Sequence, residues 1–330
     1  MQGINKRYYL LGLLIIIMIV LPFMLSSTWL SILIYLMTTI YLCSAWNISA
    51  MPGLFSLMHA LFYGCGAYVS SILWIYCEIS PWLGMIAGAF LSLFIAIIVG
   101  WCCFRVSLPI LSFAIFTLIV STIALFALHS FPIGDSTEGL LIIYSGTHPL
   151  NYQFESKITF YFIIFTMVIG ILFLTRYIIN NKMGYYFFAI HDNERVAATC
   201  GVNVIKYKLI AFSLSAVLTS FAGTFWAQYY RFVGPEYIEA HETIMIILLT
   251  VVGGIGTLWG PVIGPIILIP LGEILRIHFS SLPGLHLIIF GIVITCILIG
   301  LRKGLVPWFS QWRERMMHDK AQSIANPNVE

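Results

Sequence analysis

The sequence predicts an all-α polytopic membrane protein of about ten transmembrane helices, some of them broken, and three observations carry that prediction. Of its 330 residues 60% are hydrophobic and only 9% are charged, too few charges to cover a soluble globule of this size. The apolar residues fall in runs near or above the ~18–20 needed to cross a hydrocarbon layer about 30 Å thick. The cations cluster: Lys6 and Arg7; Arg176, Lys182, Arg195, Lys206 and Lys208; and Arg302, Lys303, Arg313, Arg315 and Lys320 make up twelve of the sixteen Lys and Arg. The positive-inside rule puts those three regions together on the cytoplasmic side.

In chain order the crossings are predicted at 8–25, 29–46, 54–76, 82–104, 109–128, 158–179, 206–230, 243–252, 258–275 and 285–301. The first is read as a retained span, because its 18 residues exceed the usual core of a signal peptide; a cleaved signal ending at Ser26 and Ser27 is the competing reading. The second has Trp29 and Trp46 near its two interfaces. The eighth, at 243–252, must borrow the glycines that follow it or stop partway through the bilayer. Six crossings separate the N-terminus from the second basic cluster, and four separate that cluster from the tail, so the even numbers agree with the charges. The loops after the fifth and seventh crossings are acidic, with Asp135, Glu138 and Glu155 in one and Glu236, Glu239 and Glu242 in the other. No Asp or Glu falls in the middle of a predicted span; Glu273 and Arg276, near the outer end of the ninth, read as a snorkelling ion pair.

Two stretches break the apolar pattern. After Trp46 come Asn47, Pro52, Gly53, Ser56 and His59, where Pro52 and Gly53 weaken a continuous helix and Ser56 and His59 stand one turn apart on whatever helix follows. Irregular backbone at membrane depth is tolerated only against protein or a water-filled cavity, so Gly53, Ser56 and His59 are candidates for a translocation path. A packed histidine at a helix start is the bland alternative. The second stretch, VVGGIGTLWGPVIGP, carries Gly253, Gly254, Gly256 and Gly260. Its glycine order departs from a dinucleotide fingerprint and no βαβ unit surrounds it. Gly260 and Gly264 form a GxxxG pair suited to close helix packing, while the other glycines and Pro261 would free backbone groups to face a solute.

A polar island at 184–208 separates two long apolar runs. With Asp192 as N-cap, Glu194 at the positive end of the dipole and Gly201 at C′, a short self-capped helix is expected over 193–200. It would be about 12 Å long, far too short to cross a bilayer. It reads either as a docking element for a cytosolic partner or as an ordinary interfacial helix.

The island tips toward docking through a resemblance. The run Asp192, Asn193, Glu194, then Arg195, Ala197, Ala198, Gly201, Asn203, Tyr207 and Lys208, is similar to the coupling loop of LivM-type permeases, the membrane subunits of branched-chain amino acid ABC importers. Gly53, Ser56, Leu57, His59 and Ala60 resemble the family's pattern at the first break, and its GG-x-G-x-x-x-G-P-x-x-G run is matched from Gly253 to Gly264. The resemblance covers about 46–304. Its departures are the absence of a TGGxxG-type segment in 129–157, the ending Arg302, Lys303, Gly304, Leu305, and spans rich in Phe, Tyr and Cys. It implies a single transmembrane permease domain over 1–330, with a coupling loop at about 180–208 that inserts into a cleft on an ATPase, and a cytosolic tail at about 302–330. It implies as partners a homologous second permease subunit, two cytosolic ABC ATPase subunits, a periplasmic solute-binding protein and the lipids of a bacterial inner membrane. The implied cargo is a branched-chain or other small polar amino acid, with urea or short amides as the alternative.

Other chemistry is not supported by the residues. The chain lacks the G-x-x-x-x-G-K-[ST] phosphate loop, so ATP would be bound by partner subunits and no cofactor is expected in this chain. The eight histidines form no H-x-x-x-H or His/Asp constellation, and the seven cysteines have neither CxxC pairs nor metal spacing, so no catalytic residue, metal or enzyme activity is expected. Nothing suggests nucleic acid. A carrier driven by protons or sodium often places an acid deep in the membrane. A stand-alone carrier or channel remains the rival class, and it would need no coupling helix.

Overall fold

The computed structural model describes residues 18–130, 139–144, 146, 149–279, 284–301 and 304–309. The helices are α1 Ser27–Ala50, α2 His59–Cys77, α3 Pro81–Arg105, α4 Ile110–Ser130, α5 Lys157–Asn180, α6 Lys182–Asp192, α7 Glu194–Thr199, α8 Val204–Tyr230, α9 Ala240–Gly253, α10 Gly260–His278 and α11 Leu285–Gly300. Seven of these, α1 to α5, α8 and α10, are long and apolar enough to cross a membrane; α9 and α11 are apolar but shorter. Among the described residues the other regular structure is helix at 18–24 and 305–309, a ribbon of two two-residue strands and two turns of 3-10 helix. The chain is thus an all-α polytopic membrane protein. Of the predicted first crossing, 18–24 is helical and the rest lies outside the described residues, as does most of the tail.

At the centre α8 packs against α1, α2 and α3. Small residues set that spacing: a Cβ at Gly66 would strike the Ser220 carbonyl, and one at Gly223 the Tyr63 carbonyl. Backbones in lipid approach this closely only where side chains are absent, because there is no hydrophobic drive between helices. α5 and α10 flank α1, and α9 and α11 complete the side next to α10.

Depth within the bundle follows from contacts along α8. His59, the first residue of α2, hydrogen-bonds Ser215, near the middle of the 27 residues of α8, so α2 starts inside the bundle. The predicted span 54–76 is corrected accordingly, with 51–58 forming a buried non-helical stretch. Ser56 therefore precedes the helix and does not share a face with His59.

The far end of α8 is closed by the ribbon, in which Leu140–Leu141 pairs antiparallel with Phe232–Val233. The Arg231 guanidinium lies 4.2 Å over the Tyr144 ring and donates to the Phe154 carbonyl at 3.2 Å. Beyond the ribbon the chain turns back inward. The 3-10 turn Pro235–Ile238 packs on α2, where Ile238 lies over Gly64 and its carbonyl accepts from Ser121 at 3.4 Å. Only then does α9 begin, and its Thr243 Oγ1 accepts from the Ala60 amide at 2.7 Å. α9 is thus a half-helix of 14 residues, roughly 21 Å long against a ~30 Å hydrocarbon layer.

Glu242, placed by the sequence in a surface loop, stands exposed in the first turn of α9, where the next residue, Thr243, meets the start of α2. The physical reason is long-range, since Gly64 on α2 and Ser121 on α4 make room for a segment whose own composition reads as a loop.

Candidate functional site

At one end of the bundle the polar island folds as a helix pair. α7 is shorter than the expected 193–200, and its N-cap is Asn193 in place of Asp192. Asp192 is consumed as the last residue of α6, and the backbone becomes extended only at Asn193 (φ −158°, ψ 106°), whose Oδ1 accepts from the Arg195 and Val196 amides at 3.1 and 3.2 Å. Gly201 has φ +85° at C′, with Gly201 N–H bonded to the Ala198 carbonyl and Val202 N–H to the Ala197 carbonyl. These two bonds make a Schellman ending.

The predicted coupling residues divide into two groups. Ala197 is buried, Lys208 donates to Glu194 at 2.5 Å, and the Tyr207 ring lies 4.7 Å from that of Tyr186, so Ala197, Glu194, Tyr207 and Lys208 seat the pair on α8. Asp192, Asn193, Arg195, Ala198 and Gly201 are exposed, beside the exposed Val196. An exposed apolar residue among charges and small side chains is a surface that a cleft can enclose.

Two breaks lie inside the bundle above this pair, at 51–58 and 254–259, and one side chain joins them. Asn47 near the end of α1 donates through Nδ2 to the Thr257 carbonyl at 2.9 Å and accepts through Oδ1 from the Gly256 amide at 2.8 Å. The sequence singled out Asn47 as an interruption of the apolar pattern without giving it this partner. Of the predicted path residues, Gly53 and Ser56 lie in the first break, with Ser56 fully buried and its carbonyl accepting from the Trp46 indole at 3.0 Å. His59 closes that break. Ser215 donates to the Ala45 carbonyl at 2.6 Å, so the 2.6 Å contact from His59 Nε2 to the Ser215 hydroxyl has the imidazole as donor.

The glycines of the second break serve two purposes. A Cβ at Gly253 would strike the Gly260 carbonyl, and one at Gly264 the Leu249 carbonyl, so these positions bring α9 against α10. Gly256, at φ +74°, is conformational: the left-handed backbone there points its amide at Asn47.

Both breaks touch α6. A Cβ on Gly53 would sit 3.3 Å from His191 Nδ1, and one on Gly256 3.6 Å from Phe188 Cε1. The helix that leads into α7 therefore lies across both irregular segments, a contact that no local sequence signal announces.

Toward the ribbon end, a cavity of about 420 Å³ opens between α1, α2, α8, α9, α10 and α11. It is lined by Glu236, Glu242, Glu273 and Arg276 together with the phenol of Tyr63 and a wall of aliphatic side chains. None of these residues was among the predicted path residues, and only the Glu273–Arg276 pair was anticipated; Arg276 bonds Glu273 at 2.8 Å. A cavity thus lies on this side and an exposed helix pair on the other, with the two breaks between them.

Comparison with known proteins agrees. The family model described as branched-chain amino acid transport system / permease component matches residues 28–298. The chain is similar to the high-affinity branched-chain amino acid transport system permease protein LivM of Salmonella typhimurium, 24% identical over 328 residues that cover 92% of this chain and 76% of that one. It is also similar to the permease protein LivH of the same type of system in Escherichia coli, 25% identical over 260 residues, 75% of this chain and 84% of the relative. A shorter likeness, 27% over 146 residues covering 40% of this chain and 45% of the other, links it to the ribose import permease protein RbsC of Bacillus subtilis. No solved structure matches significantly.

Proposed function

The chain belongs to the branched-chain amino acid transport permease family and is a permease subunit of an ABC importer, and from that premise we propose that it carries branched-chain amino acids across a bacterial inner membrane. It pairs with a homologous permease, two cytosolic ATPases that bind the ATP, and a periplasmic solute-binding protein. It catalyses no covalent chemistry and needs no cofactor of its own. The relatives' named systems support the cargo, and the charge clustering supports termini and α7 on the cytoplasmic side.

The observation that carries the reading is the contact of α6 with both breaks: His191 meets Gly53 and Phe188 meets Gly256, while α7 at its end presents an exposed face. A force applied to α7 by closing ATPases would reach both irregular segments through one rigid helix, exchanging the side from which the cavity opens.

The test is the double variant Glu194→Arg with Gly201→Val. The first opposes the helix dipole and the Lys208 pair, and the second forces a β-branched residue into left-handed backbone; each costs about 1 kcal/mol or somewhat more locally. That is too little to unfold the bundle, so the protein should still insert while ATPase co-purification and solute-stimulated hydrolysis fall at least about tenfold. Unchanged hydrolysis and uptake would remove the coupling role. Orientation is tested by labelling: a variant keeping only the exposed Cys77 and Cys200 should react at Cys200 from the cytoplasm and at Cys77 from the opposite side.

A further inference from the structure

We propose that the cavity beside α9 recognises solutes through an ammonium group and rejects an otherwise identical carboxylate, so that it binds the amino end of an amino acid. The inference rests on the permease reading above and adds a specificity-determining site within it.

The cavity is electrostatically unbalanced. Its described lining holds three carboxylates, Glu236, Glu242 and Glu273, against one guanidinium, Arg276, which is already engaged by Glu273. Glu236 and Glu242 have no ion-pair partner among the described residues. Both stand on the segment that turns back into the bundle, exposed and lining the cavity beside the buried Tyr237, Ile238 and Thr243, so their charge is presented to whatever enters it. A carboxylate in such a place is stabilised by a cation and destabilised by a second anion.

Tyr63 is the second, independent observation. Its side chain is only 6% exposed and lines the cavity, yet its hydroxyl has no hydrogen-bond partner among the described residues. Its ring is held by stacking on Tyr237 at 5.3 Å, and the Tyr237 hydroxyl is occupied, donating to the Phe232 carbonyl at 3.0 Å. A phenol held in orientation, whose hydroxyl makes no hydrogen bond among the described residues and is not sealed from the cavity, offers the acceptor lone pair that an ammonium needs in addition to charge. The same cavity is lined by Leu42, Ile246, Leu249, Leu268, Ile269 and Phe290, apolar surface that suits a branched aliphatic side chain.

The experiment uses the complete transporter in lipid nanodiscs, without its solute-binding protein, and measures by equilibrium dialysis the binding of radiolabelled isopentylamine and radiolabelled 4-methylpentanoate. The two share a branched skeleton and differ in the charge of the end group. The amine should bind at least about tenfold more tightly than the acid, and Glu242→Gln and Tyr63→Phe should each weaken the amine severalfold without strengthening the acid beyond twofold. Retention of the ATPase subunits on the purified variants reports that they are assembled. Equal binding of the two probes, tighter binding of the acid, or binding of neither by an assembly that retains its ATPases overturns the inference. Failure of the permease reading registers separately, as absence of ATPase subunits from the wild-type assembly, and the comparison of probes on the wild-type protein requires no variant to fold.

Discussion

The two breaks meet at Asn47 yet are held in opposite ways. The first, 51–58, is pinned from several sides: Trp46 donates to the Ser56 carbonyl, the Leu57 amide donates to Thr117 on α4, the Ala60 amide donates to Thr243 on α9, and His59 is locked to Ser215 on α8. The second, 254–259, is hydrogen-bonded by side chains among the described residues only to Asn47 and to itself, with Thr257 donating to the Gly254 carbonyl and accepting from the Gly260 amide, while Gly304 and Phe188 pack on it. Ser56 is fully buried, whereas Ile255 and Trp259 are exposed. Orphaned backbone groups in a membrane protein must find partners, and the number of partners outside the segment decides how far it can move before they are lost. The first break is therefore a fixed platform and the second a hinge, with Asn47 as the latch between them.

The largest expected effect comes from the latch. Asn47→Ala removes both bonds and leaves the part-buried Gly256 amide and Thr257 carbonyl unpaired, at about 1 kcal/mol or somewhat more each. Uptake should fall at least about twentyfold, and the thermal midpoint of the assembled complex should drop by several degrees. Transport within twofold of wild type would mean that the breaks work independently.

A hinge also depends on its own backbone. Gly256→Leu puts a side chain at φ +74°, costing about 1–2 kcal/mol, although a Cβ there meets nothing closer than Phe188 at 3.6 Å. Uptake should be abolished while the complex still assembles with its ATPases; loss of assembly would make this glycine a packing residue like Gly253. The platform should behave differently. Ser215→Ala strands the His59 Nε2–H and should lower stability by about 1–3 kcal/mol in thermal denaturation, with uptake at permissive temperature reduced less than threefold. A transport loss as large as that of Gly256→Leu would erase the distinction between platform and hinge.

The crossings were legible because hydrophobic runs of membrane length have few other meanings: the run at 206–230 became Val204–Tyr230, and that at 158–179 became Lys157–Asn180. The breaks were legible from Pro52, Gly53 and the four glycines. The N-cap was missed by one position because Asp192 and Asn193 are both capping types, and only the end of α6 decides between them. The inward turn at 235–243 was not legible, since Glu236, Glu239 and Glu242, exposed as their type suggests, make the segment read as an ordinary loop until Gly64 and Ser121 are seen making room for the buried Ile238. The cavity was missed with it. Contacts between α6 and the breaks join residues more than 60 positions apart and leave no periodic trace in the chain.

The half-helix α9 also constrains how the protein is made. Its 14 residues begin inside the bundle, behind an acidic turn, and they reach roughly 21 Å before the glycines intervene. A segment that short, leaving the ribosome alone, has neither the length nor the flanks to partition into lipid as a span. α10, which supplies the close glycine contact at Gly264, must therefore emerge before α9 can settle, and the two enter the bilayer as a hairpin against an α1–α2–α8 core that is already in place. Biogenesis of the hinge is accordingly post-nucleation, and a chain arrested at residue 253 should carry α9 outside the lipid.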